Sequence, residues 1–349
     1  MLARNCRFYR CALAFALTVL SPVAVGASSP GGDEPFSIER TSTSRPHGTL
    51  HYGYLEAIFL NFEHFDGDQP VAERLFDDGS ATTVLRADDA SQVSVGPRIT
   101  VGRIEANHRG WEVSYFGAGG GKGSRRVNGE NDLAMVGSLA LGSLDFYQAD
   151  RITIESQTRL HSLELSRTWY EQRWSLLAGF RYLRIEDDFR LTPFDSDTGS
   201  TPPDFSSLGN YSVGTENDLF GLQSGIRHKR RSKLAENLLF DIGGKAGIYG
   251  NSASQNQSIF DFGGSDEPFP LRQYEDHQGQ VAFVGDASAN VRLPLTSRLE
   301  ARAGYNLLWV EGVALASDQL EFDDILIQGT STEGGGLFHG ASVGLMFHW

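Results

Sequence analysis

Ten polar residues carry the chemistry this sequence offers: Arg98, Glu112, Glu164, Arg181, Gln223, Asp241, Lys245, Asp286, Glu300 and Arg302. Each falls on the polar side of a segment whose apolar residues recur at every second position. Gln223 aside, they comprise five acids and four bases, close to balance. If those polar sides enclose a lumen, the charges could line and select in a water-filled pore. They could equally pair into an ionic plug, because small barrels are wide enough only for side chains and buried charges need partners. Both readings stay open on the sequence.

Other chemistry finds weaker support. A hydrolase needs Ser and His, or His and Asp, brought to one rim with an oxyanion site. His64 lies near Glu63 and Asp66, His277 follows Glu275 and Asp276, and His339 opens the last alternating segment, but no nucleophile motif flanks any of them. Asp195-Ser196-Asp197-Thr198-Gly199 begins like a calcium loop and lacks the later ligands. Gly117 to Gly123 is rich in glycine around Lys122 but has no strand-to-helix setting for a phosphate loop. Lys229-Arg230-Arg231-Ser232-Lys233 is a basic run that reads as a solvated hairpin end. No metal or cofactor is implied, and no catalytic residue is assigned.

The elements that position these residues are strands. In 298–309, Leu299, Ala301, Ala303, Tyr305, Leu307 and Trp309 alternate with Arg298, Glu300, Arg302, Gly304 and Asn306. Charges facing lipid would cost several kcal/mol, roughly 2–4 each at mid-membrane, so the faces are assigned without ambiguity. Similar alternation covers 174–182, 217–227, 238–248, 281–291 and 341–348, with weaker copies near 50–62, 91–104, 109–119 and 156–170. In 50–62 it is ambiguous which face is which. The count is ten strands, and a hairpin hidden in 120–155 would make twelve.

Connections alternate strictly between short (near 105–109, 171–173, 229–236 and 293–297) and long (near 63–90, 120–155, 188–212, 250–278 and 313–336). This matches an antiparallel transmembrane β-barrel with short periplasmic turns and long external loops. The loops are acidic: 63–90 holds eight Asp or Glu, and 313–336 holds five with no Lys or Arg. They either gather cations at the mouth, or bind Ca²⁺ that bridges them to neighbours, or are simply a solvated external surface, and the last reading is favoured. Val343, Leu345, Phe347 and the closing Trp349 form an aromatic-ended strand of the kind barrel-assembly machinery reads.

The termini and composition agree. Arg4, Arg7 and Arg10 precede an apolar run from Cys11 to Val25 and the small residues Gly26 and Ala27, the layout of a secretory signal over 1–27. Its removal takes both cysteines and three Arg, leaving 27 basic residues against 44 acidic and no disulfide chemistry. Such an acidic chain is a poor partner for nucleic acid. Residues 28–49 read as a disordered periplasmic lead-in, and 50–349 as the barrel.

Several motifs fall in a recognisable order: Gly179-Phe180-Arg181-Tyr182-Leu183, Asn217 to Gly225, Lys245 to Asn251, and Leu308 to Ala316. Together they resemble the beta-barrel porin family of planctomycete-type bacteria, over residues 156–349 and more loosely around Gly96 to Gly117. The resemblance implies an outer-membrane, porin-like role and supplies no catalytic residues. The leading expectation is thus passive diffusion of ions or small hydrophilic solutes, with a mild cation preference. The alternatives are a non-conducting structural or surface-interaction barrel with an ion-paired lumen, and a barrel-embedded hydrolase. Expected partners are outer-membrane lipid and the barrel-assembly machinery, with homo-oligomerisation left open. Deleting Phe347 to Trp349 should block assembly; normal membrane levels of the truncated chain would contradict the signal.

Overall fold

In the computed structural model the described residues are 49–65, 68–90, 92–139, 146–171, 173–197, 204–232, 238–262, 269–323 and 329–349. The signal and nearly all of the lead-in lie outside them, as do Thr198 and Gly199 of the calcium-like segment. The strands are β1 (Leu50–His64), β2 (Pro70–Leu75), β3 (Ala81–Arg86), β4 (Val93–Ile104), β5 (Arg109–Ala118), β6 (Gly123–Met135), β7 (Ala149–Glu171), β8 (Trp174–Asp197), β9 (Asp204–Ser207), β10 (Gly209–Arg231), β11 (Leu239–Asp261), β12 (Phe269–Pro294), β13 (Leu299–Val313) and β14 (Gly334–His348).

Ten of these close a ring of antiparallel neighbours, in the order β1-β4-β5-β7-β8-β10-β11-β12-β13-β14 and back to β1. Closure leaves no unpaired backbone edge to face lipid. The seam joins the first and last strands, from Tyr52 opposite His348 to His64 opposite Gly336, and His51 and Trp349 exchange backbone hydrogen bonds of 3.0 Å beside it. The ten strands are the ten of the sequence reading. Residues 120–155 do contain a further strand, β6, but it runs in line with β5 along the same edge of β7 rather than widening the ring.

The strands differ greatly in height. β7, β8, β10, β11 and β12 run 23 to 26 residues, whereas β1, β4, β5, β13 and β14 run 10 to 15. Much of what reads as long loop in 120–155, 188–212 and 250–278 is therefore strand. The reason is a change of phase in the hydrophobic alternation. In β8, Leu176 and Phe180 face outward and are about half exposed, and farther along the strand the buried apolar positions become Leu183, Ile185, Phe189 and Leu191. In β10, Phe220 and Leu222 face out, whereas Tyr211, Val213 and Leu219 are buried within. Above the lipid-facing belt the outer wall carries Arg184, Glu186, Glu216 and Asp218, joined by ion pairs. The inner wall there is apolar.

β2, β3 and β6 extend this wall, with β2 pairing β6 at Ala72 to Arg74. Inside it sits an apolar core including Val71, Leu85, Leu133, Met135, Phe146, Ile152, Leu191, Tyr211, Leu320 and Phe322. The acidic segments 63–90 and 313–336 are thus not simply solvated loops, since each buries apolar residues in this head. The assignment of faces makes a direct demand at Leu222, which is 71% exposed on the outer wall. Leu222→Arg should destabilise the barrel in lipid vesicles by about 2–4 kcal/mol in urea unfolding; an unchanged midpoint would contradict the assignment.

Candidate functional site

All ten lumen candidates face inward, and pairing joins most of them. Arg181, 1% exposed, donates to Asp286 at 2.9 Å and to the Ser162 hydroxyl at 2.9 Å, with Glu164 at 3.6 Å. Lys245 donates to Glu164 at 2.7 Å and lies 3.3 Å from Asp286. Gln223 donates to Glu164 at 2.8 Å and accepts from the Tyr249 hydroxyl at 3.2 Å. Each carboxylate here has two cationic neighbours within 4 Å, as burial in a low-dielectric interior requires.

A second group lies toward the periplasmic end. Glu112 receives a bidentate fork from Arg227 at 2.6 and 2.8 Å, and the Tyr52 hydroxyl donates to it at 2.8 Å. Arg302 meets Glu56 at 3.1 Å while stacking over Tyr54, and Arg98 lies 3.6 Å from the same carboxylate and donates to Asn306 at 2.8 Å. Glu300 sits 3.3 Å from both Arg292 and His348. Asp241 faces the lumen with no ion-pair partner among the described residues.

Glu56, Arg227, Lys229 and Arg292 are absent from the sequence-derived set. Glu56 is hidden by the ambiguity of β1, whose apolar residues occupy both faces: Leu55 and Phe59 point to lipid, and Ile58, Leu60 and Phe62 point inward. Arg227 stands on the polar face of β10, and its sign offers no further cue. The sequence places Lys229 in a turn, but β10 continues to Arg231 and both residues line the lumen.

These groups surround a chamber of about 320 Å³. Its rim residues, Leu50, Ile104, Arg231, Pro294, Thr296 and Ser297, belong to the periplasmic end. Above the ionic band the lumen changes character. Ile58, Leu60, Phe62, Phe116, Leu160, Leu183, Ile185, Leu219, Tyr249, Ala282, Val284, Leu308, Val310 and Phe338 form one contiguous apolar cluster. Nine of the ten ring strands contribute to it. β4 contributes Gly96 at this height, where a Cβ would collide with the Gly117 carbonyl.

The segment after β13 folds into the lumen above this layer. Gly312, with φ of 83° and beside a register shift against β14, turns the chain inward. Val313 and Leu315 join the apolar layer. Asn217, fully buried, then grips Ala314 in both directions, donating to its carbonyl and accepting from its N–H, each at 2.7 Å. Asp187 accepts from the Ala316 N–H at 2.9 Å and from the Thr158 hydroxyl at 2.8 Å, with His64 at 3.5 Å. Farther out, Gln257 donates to the Gln319 carbonyl at 3.1 Å, and the Glu321 N–H donates to the Tyr211 hydroxyl at 2.8 Å.

The histidines weighed for hydrolysis stand apart. His64 points inward to Asp187, His277 lies on the outer wall beside Glu275, and His339 faces outward between Tyr305 and Glu63. Val343, Leu345, Phe347 and Trp349 all lie on the outer, lipid-facing wall, each about half exposed. The buried fork offers a stability test. Arg227→Met should cost about 3–5 kcal/mol by stranding Glu112, and adding Glu112→Leu should restore most of it; equal losses in the single and double variants would contradict the pairing.

Among solved structures the chain is similar to the outer membrane protease OmpT of Escherichia coli, at 10% identity over 90% of this chain and 100% of that one, with a TM-score of 0.37. It is also similar to the P. putida toluene transporter TodX, at 10% identity over 87% and 90% of the two chains, TM-score 0.32. A major outer membrane protein from Thermus thermophilus matches at 10% identity over 85% and 99%, TM-score 0.31. Likenesses this distant carry no argument about activity. No curated protein matches by sequence. The family model for beta barrel porin-7 (BBP7), by contrast, matches residues 69–332. That span covers more than half the sequence and most of the ring, so the chain belongs to the beta barrel porin-7 family and is a β-barrel of the bacterial outer membrane.

Proposed function

We propose that the protein is a closed member of its family: a non-conducting barrel that carries a folded head outside the membrane and a charged chamber toward the periplasm. The observation supporting this reading is the apolar layer across the lumen, sealed above by the inward-folded segment from Val313 to Phe322. Wetting each large apolar side chain costs roughly 1.5–3 kcal/mol. Flooding about five of them already costs about 7–15 kcal/mol, which leaves an open population negligible at equilibrium.

Passive diffusion, the leading expectation from sequence, needs that layer to part and the strap to leave Asn217 and Asp187. The expected cation preference at an acidic mouth loses its basis along with the open path. A hydrolytic role is not favoured either, because His64, His277 and His339 do not converge. The barrel is read as a non-enzyme whose external face and periplasmic chamber do its work.

Planar-bilayer recording of the refolded protein tests this. Protein whose folding is established by its heat-sensitive gel mobility should give no steady current above leak. Reproducible ohmic current from the unsubstituted barrel would overturn the proposal.

A further inference from the structure

The chamber has a charge that its internal pairing does not cancel. Eight Lys or Arg and five Asp or Glu line it. Counting Glu56, buried against Arg302 and Arg98, bases still exceed acids by two. This occurs in a chain whose net charge is −14. The excess is also localised. Arg227, Lys229 and Arg231 alternate along one strand, so all three face inward at intervals of roughly 7 Å.

Of the three, Arg227 is engaged by Glu112. Lys229 has no carboxylate within 4.0 Å among the described residues and lies 5.9 Å over the Tyr170 ring. Asp241 is its direct cross-strand neighbour, yet the two form no ion pair. Arg231 is exposed at the rim and likewise lacks a carboxylate among the described residues.

We infer that the chamber is a binding site for small anionic solutes of the periplasm, with Lys229 and Arg231 gripping a carboxylate or phosphate group at its mouth. Its volume falls at the lower end of small-molecule sites, which begin at about 300 Å³. Half-burial of Lys229 lowers the local dielectric, which strengthens a charge-assisted bond to an oxyanion. The paired charges deeper in the chamber hold the walls rigid, and the apolar layer above gives the solute no onward route. Retention therefore rests on the closed-lumen reading, whereas binding itself does not.

The test is calorimetric titration of the folded barrel in detergent with two probes, inorganic phosphate and succinate. Saturable binding of either probe is expected, with Lys229→Gln/Arg231→Gln weakening it by at least about tenfold, as loss of one charge-assisted hydrogen bond would. Lys122→Gln, in an exposed connection outside the chamber, should leave it unchanged. Binding of phosphate alone would identify a phosphate site, and binding of both would identify a general oxyanion site. No saturable binding of either probe, or undiminished binding in the double variant, would overturn the inference. A conducting barrel that still binds would refute the closed lumen and leave the anion site standing.

Discussion

A ring of ten tilted strands encloses a space so narrow that side chains from opposite walls meet. Everything inside must therefore be water, a paired polar group or packed apolar atoms, and the sequence chooses differently at different heights. In the periplasmic half, carboxylates such as Glu112 and Glu164 are too buried to stand alone, and each is matched by cationic and neutral donors. Higher up, the same inward positions carry Leu183, Leu219, Leu308 and Val310 and need no partners. The narrowness makes both solutions work: a wider ring would leave the charges unpaired and the apolar residues wet.

The outer wall reverses this order. Where lipid surrounds the barrel, outward positions are apolar and inward ones ionic; where water surrounds it, the outward positions are ionic and the inward ones apolar. The switch is written in the chain as a one-residue slip of the hydrophobic register, at Tyr182–Leu183 in β8, Leu219–Phe220 in β10 and Ile248–Tyr249 in β11. Ten strands, their lipid faces and the short periplasmic turns are legible in the sequence because the alternation there has a single phase. The upper strands are not, because the slip ends a regular pattern and leaves polar residues that resemble loop. The two-faced β1 is the same effect in miniature, since its lipid face and its share of the apolar layer overlap in height.

The strap after Gly312 is the least legible part of the site. Its acids suggest solvent, yet Ala314 to Gln319 is held by Asn217, Asp187 and Gln257, residues on three different strands. Pairing between an asparagine side chain and a distant backbone leaves no local sequence signature. Lys229 is obscured for a simpler reason: adjacent basic residues read as a turn, although every second one points into the lumen. What sequence does supply is the sign of each charge and, where the strand is correctly bounded, its face.

The proposed dry layer across the lumen, above the charged chamber, can be probed by thiol accessibility. Single cysteines placed at Val310, within the layer, and at Asp286, in the chamber, would be exposed to a water-soluble maleimide in oriented vesicles. With a dry layer in place, Asp286→Cys should react from the periplasmic side alone and Val310→Cys from neither. Labelling of Val310→Cys from both sides, in protein shown to be folded, would mean that water fills the lumen from end to end and would contradict the claim.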